Sequence, residues 1–132
     1  MTLSRAIELQ QQVFLALFNA LDPVPVSSSP LGAERYIRMD GFNIVDQPIY
    51  RNRDQASHFF FVHVFDRSEQ GTHSNLWAIE RQVQADAALR QLRLPDASKI
   101  RMTDMQVTSE PRGDGETSTH SFARYNVTIG DM

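Results

Sequence analysis

The chain has 132 residues, 41% of them hydrophobic and 22% charged, with a formal net charge of −3. That size and composition suit one core and one domain over residues 1–132, exclude a disordered composition, and show no whole-surface basic footprint for nucleic acid. The absence of cysteine excludes disulfides, thiolate metal sites and a cysteine nucleophile.

Leu3, Ile7, Phe14, Phe18 and Leu21 recur at helical spacing with Leu17 beside them, and Glu8, Gln10, Gln11, Gln12 and Asn19 fall between. This predicts an amphipathic helix over Leu3–Leu21 with one broad apolar stripe, capped by Thr2 or Ser4 and stopped at Asp22-Pro23. Arg5, Ile7 and Glu8 leave no clean apolar core for a secretory signal. The longest apolar run, Val13–Phe18, falls far short of the roughly 20 residues that span a bilayer, so a soluble protein is expected.

Pro23–Gly32, with its prolines and consecutive serines, reads as an irregular connector. Tyr36–Val45 reads as two short strands, or one strand bulged at Gly41, and Pro48–Ser57 as a polar loop. His58–Asp66 is the clearest strand. Phe60, Val62 and Val64 point one way and Phe59, Phe61, His63 and Phe65 the other, so both faces call for cover. One cover is helical; the other is a second layer or a partner subunit.

Arg67–Gly71 reads as a turn. Thr72 or Ser74 then caps a second helix reaching about Leu92, with Leu76, Ile79, Val83 and Ala87 as its buried row. Glu80, Arg81, Gln84, Asp86, Arg90 and Gln91 form its wet side. Ile100–Arg112 and Ser118–Asp131 read as a hairpin with the long connector Pro111–Thr119; Ala123, Tyr125, Val127 and Ile129 share one face. The expected fold class is α+β: a mainly antiparallel sheet of four to five strands with two main helices on one face, in the order α-β-β-β-α-β-β.

Chemical motifs are sparse. His58, His63, His73 and His120, with Asp66 and Glu69, invite a metal reading. His63 and Asp66 are three apart, however, and a strand sends such side chains to opposite faces. No H-E-x-x-H or H-x-H pair is present either. The expectation is no metal and no cofactor, with His63 packed or at an interface and the other three histidines exposed. No serine sits on a G-x-S-x-G elbow, and no phosphate-cradling loop exists. The carboxylate pairs Asp104/Glu110 and Asp114/Glu116 read as solvated groups, and Arg112-Gly113-Asp114 as a polar turn.

The strand segment SHFFFVHVFDRSEQGTHSN, running directly into the helix LWAIERQVQADAAL, resembles the core of the siphophage tail terminator proteins, also called tail completion or head–tail joining proteins. The preceding helix, the short strand Arg35-Tyr36-Ile37 and the late strand Thr119–Ile129 follow the same order over nearly the whole chain. The Pro/Ser-rich connector Pro23–Pro30 departs from the family's compact turn.

The resemblance implies a structural virion protein and no enzyme. Such proteins form a ring, usually a hexamer, on the last ring of tail-tube protein, stop its polymerisation and join it to the head connector. The implied partners are further copies of the chain, tail-tube protein and connector protein, with DNA passing only as cargo and no membrane. The implied location is the virion's head–tail junction, and the host cytoplasm during assembly. The loops Gln47–Ser57 and Pro111–Thr119 supply the expected interface residues: Tyr50, Arg51, Arg53, Arg112, Asp114 and Glu116. Two alternatives stand beside this reading: another connector protein (a stopper or adaptor), and a small enzyme or ligand-binding domain with a pocket near His63 and Trp77.

Overall fold

A computed structural model describes residues 3–46, 55–68, 74–94, 99–111 and 117–130. Helix α1 (Leu3–Leu21) is followed by β1 (Val26–Ser27), β2 (Arg35–Asp46), β3 (Gln55–Asp66), α2 (Leu76–Gln91), β4 (Arg101–Pro111) and β5 (Thr117–Gly130). The fold is α+β, with a five-stranded mixed sheet in the order β1-β2-β3-β5-β4. The β2–β3, β3–β5 and β4–β5 pairs are antiparallel, and the two-residue β1 runs parallel to β2. No helix among the described residues is long and apolar enough to cross a membrane.

The strands do not fill the expected places. β1 lies inside the stretch read as an irregular connector. Val26 pairs with Ile37, and Ile37 N–H donates to Pro25 O at 2.9 Å, so a partner eleven residues on imposes the extended form. Of the two readings of Tyr36–Val45, the single strand bulged at Gly41 is the one found, with the register slipping between Asp40 and Asn43. Gly41 carries the slip at φ 69°. A Cβ there would stand 2.6 Å from Phe61 Cδ2, so only glycine lets that ring lie on the backbone. β3 begins at Gln55, three residues before His58, because its first residues pair with the end of β5.

Alternation along β3 works as expected. Phe60, Val62 and Val64 are fully buried. They form one core with Ile37, Met39, Ala123, Tyr125 and Val127 of the neighbouring strands, Leu9, Val13, Leu17 and Leu21 of α1, and Ala78, Ala85 and Leu89 of α2.

α1 keeps Leu17 and Leu21 of the predicted stripe inside, whereas α2 buries a face other than the one predicted. α1 places Leu9, Val13, Leu17 and Leu21 inside and leaves Ile7, Leu15 and Phe18 46–50% exposed. The apolar stripe is broad, and the buried row runs along one side of it, shifted toward Leu9 and Val13. α2 buries Ala78, Gln82, Ala85 and Leu89, and leaves Leu76 59% and Val83 61% exposed. Two alanines allow close approach, and Ser121 Oγ donates to Gln82 Oε1 at 3.3 Å, while the buried Gln82 Nε2 has no hydrogen-bond partner among the described residues. Ser74 Oγ accepts from Leu76 N–H at 3.2 Å at the start of α2.

His58 is 3% exposed, against the expectation of a surface histidine. Its strand parity sends it to the core face, where its Nε2 has no hydrogen-bond partner among the described residues. Burial lowers its pKa from the ordinary 6.5. The folded state therefore favours neutral His58. Its contribution to stability is complete above pH 6.5 and is lost as pH falls from there through the depressed folded value. Urea unfolding of the wild type is expected to show a steeper stability loss between pH 7 and pH 5 than His58→Gln, by at most about 1.4 kcal/mol per pH unit. Parallel profiles for the two proteins would contradict this.

Candidate functional site

Strand parity sends a second set of side chains to the face away from the helical core. Across β2, β3, β5 and β4 the rows read Tyr36–Phe65–His120–Thr108, Arg38–His63–Phe122–Gln106 and Asp40–Phe61–Arg124–Asp104. The cluster formed by the helices and the core face includes neither Tyr36 nor Phe65, although both are buried. Ring stacking accounts for much of that burial. The Tyr36 and Phe65 centroids are 4.8 Å apart, and those of Phe65 and His120 are 4.3 Å apart at 11°. The guanidinium carbons of Arg38 and Arg67 lie 5.2 and 5.4 Å from the Phe65 ring centre, and that of Arg124 lies 4.4 Å from Phe59.

A chain of polar contacts crosses this face diagonally. Arg38 Nε lies 3.1 Å from Asp40 Oδ2. Asp40 Oδ1 is 2.9 Å from His63 Nε2, His63 Nδ1 is 2.9 Å from His120 Nε2, and His120 Nδ1 is 2.7 Å from Glu110 Oε1. Arg38 and Asp40 are two apart on β2; each later step joins a residue to the side chain two positions from its direct cross-strand partner, a spacing within reach of long and aromatic side chains. The side chains of His63 and His120 are each 13% exposed. Burial is the largest influence on His63 and lowers its pKa from 6.5. The Asp40 hydrogen bond and charge oppose that shift, while Arg38 and His120 add to it.

His63 is thus a packed residue, as expected, but His120 is not the exposed histidine predicted, because it sits in the ring stack. Glu110 is not a merely solvated acid, because it accepts from His120. Asp104 faces Arg124 across the β4–β5 pair. Asp40, Glu110 and the two histidines lie in a line and do not converge. Among the described residues no group of three or more His, Asp or Glu side chains could hold a metal ion.

A second polar centre occupies the opposite face. Asp66, fully buried, accepts from Arg35 Nε at 3.1 Å, from Arg35 Nη2 at 3.4 Å, and from the N–H and Oγ of Ser68. The Arg35 guanidinium lies 4.6 Å from the centre of the Trp77 ring on α2. A shallow cavity of about 330 Å³ is lined there by Arg35, Asp66, Ser74, Leu76, Trp77 and Glu80. His63 and Trp77 therefore stand on opposite faces of the sheet, an arrangement that does not suit the alternative of one ligand pocket near both.

A groove of about 550 Å³ runs along α1 between Ile7, Phe14, Leu15, three glutamines, Ser28 and Met39. Among the described residues its lining carries amides, a hydroxyl and apolar groups, with no acid, base or imidazole. Of the six interface residues expected from the sequence, Tyr50, Arg51, Arg53, Arg112, Asp114 and Glu116, all lie outside the described residues. His73, Glu69 and the Arg112-Gly113-Asp114 tripeptide lie outside them too. Compared with known proteins, the chain matches no family model and no curated protein sequence.

Proposed function

We propose that this chain is a structural assembly subunit, a tail terminator that closes into a ring on a phage tail tube, ends its polymerisation and joins it to the head connector. The observation that carries this reading is the exposed apolar row on each helix: Ile7, Leu15 and Phe18 on α1, Leu76 and Val83 on α2. Large apolar side chains exposed on both helices of a small domain mark a surface that gains by being covered. A ring needs two different patches that meet on neighbouring copies, and two separate helices supply two rows. The helix pair laid over one face of a mainly antiparallel sheet, and the element order that the resemblance implies, fit the same reading. In it the protein has no catalytic residue and no cofactor, its partners are its own copies, the tube protein and the connector, and DNA only passes through.

The test is a pair of charge substitutions on the α2 row. Leu76→Glu with Val83→Glu is expected to abolish the high-mass species and the capping of tail tubes. Both positions are exposed, so unfolding free energy is expected to stay within about 0.5 kcal/mol per site. Electron microscopy of tubes grown with each protein reads the outcome. Tubes of unchanged, uniform length with the double variant would count against the α2 row as an assembly surface.

A further inference from the structure

The polar chain on the sheet face has a proton count built into it. A neutral imidazole has one N–H and one bare nitrogen, and a carboxylate accepts only. Asp40 Oδ1 at 2.9 Å from His63 Nε2 therefore requires the proton of His63 on Nε2. Glu110 Oε1 at 2.7 Å from His120 Nδ1 requires the proton of His120 on Nδ1. With those two protons placed, His63 Nδ1 and His120 Nε2 face each other as two lone pairs at 2.9 Å. A hydrogen bond there needs a third proton. A fourth would set two N–H groups head to head.

We propose that His63 and His120 hold one shared proton, three ring protons over two rings, and that this proton works a clasp tying β2, β3, β5 and β4 together across the sheet. The N···N bond exists in one protonation state of the pair and is lost on gaining or giving up a proton. In that state the charges alternate along the diagonal: Arg38 positive, Asp40 negative, the shared imidazolium positive, Glu110 negative. The neighbouring charges are accounted for from each element. β2 contributes Arg38 and Asp40, and β4 contributes Glu110, with Asp104 opposite Arg124 of β5. Arg67, just past β3, lies over Phe65. The rings of Phe61, Phe65 and Phe122, with centroids 5.9–6.2 Å from that of His63, restrict water and keep the exchange within the pair. This inference concerns the folded subunit and does not rest on the assembly role.

Imidazole ¹⁵N NMR of the full chain across pH 4–9 tests it. In the three-proton state the expected spectrum shows Nε2 of His63 and Nδ1 of His120 protonated, with the facing nitrogens at shifts intermediate between bare and protonated. Both rings are expected to report the same two macroscopic steps, separated by more than about 1 pH unit. His120→Gln, which keeps an amide where Nε2 stood, is expected to leave His63 with one step. Glu110→Gln, on a partly exposed side chain of the edge strand, is expected to shift the upper step down by about 0.5–1 pH unit with the fold kept. Independent single-step titrations of the two rings, or a His63 titration unchanged by both variants, would overturn the shared proton.

Discussion

Phe60→Ala is expected to lower the unfolding free energy by about 3–5 kcal/mol, the cost of an aromatic truncation in a packed core. The ring is fully buried and stacks between Phe42 at 4.9 Å and Tyr125 at 5.5 Å. Its loss would open a void at the middle of β3, beneath both helices, with rigid rings on either side that collapse poorly. Domains of this size have total stabilities of about 5–15 kcal/mol, so the loss removes a large share of the total. The neighbours on the other face give the contrast. Phe61 is half-buried over Gly41, and Phe61→Ala is expected to cost less than half as much. Urea denaturation of the two variants, with the slope checked for constancy, reads the difference. Equal losses would mean that the two faces of β3 are equally enclosed.

Asp66→Ala is the second large effect, about 2–4 kcal/mol. The carboxylate is fully buried and accepts from Arg35 and from two donors of Ser68, joining the start of β2, the end of β3 and the turn after it. Removing it takes the Asp66 charge and both of its hydrogen bonds from the Arg35 guanidinium, which lies against Trp77. The Arg35 side chain is 29% exposed, so water recovers part of the loss and the lower half of the range is expected. Thermal unfolding is expected to fall by about 6–12 °C. Asp66→Asn keeps one acceptor oxygen and is expected to recover part of that. A variant as stable as wild type would mean that the Arg35–Asp66 pair only breaks even against an apolar replacement.

What could be read without the structure follows from what is local. Alternation alone assigned the faces of β3 and of Ala123, Tyr125 and Val127, because strand parity needs no partner. The end of α1 was legible in Asp22-Pro23 for the same reason. The α2 face was misread because hydrophobicity favours Leu76 and Val83, whereas the packed row is Ala78, Gln82, Ala85 and Leu89. Close approach rewards small side chains, and the oxygen of Gln82 finds its donor in Ser121, 39 residues on. β1 was missed because a two-residue strand exists only through its pairing with Ile37 and Arg38. The His63–His120 contact was out of reach for a related reason. Alternation puts both residues among phenylalanines, but only the β3–β5 register, 57 residues apart, brings the two rings together.

The assembly role depends on whether the exposed apolar rows are covered by further copies of the chain. Native mass measurement of the wild-type protein at micromolar concentration, alone and with tail-tube protein, asks this most directly. A closed oligomer of uniform size, present alone or formed when tube ends are supplied, is the predicted result. A 15.0 kDa monomer that stays monomeric at every concentration and leaves tube length unchanged would contradict it.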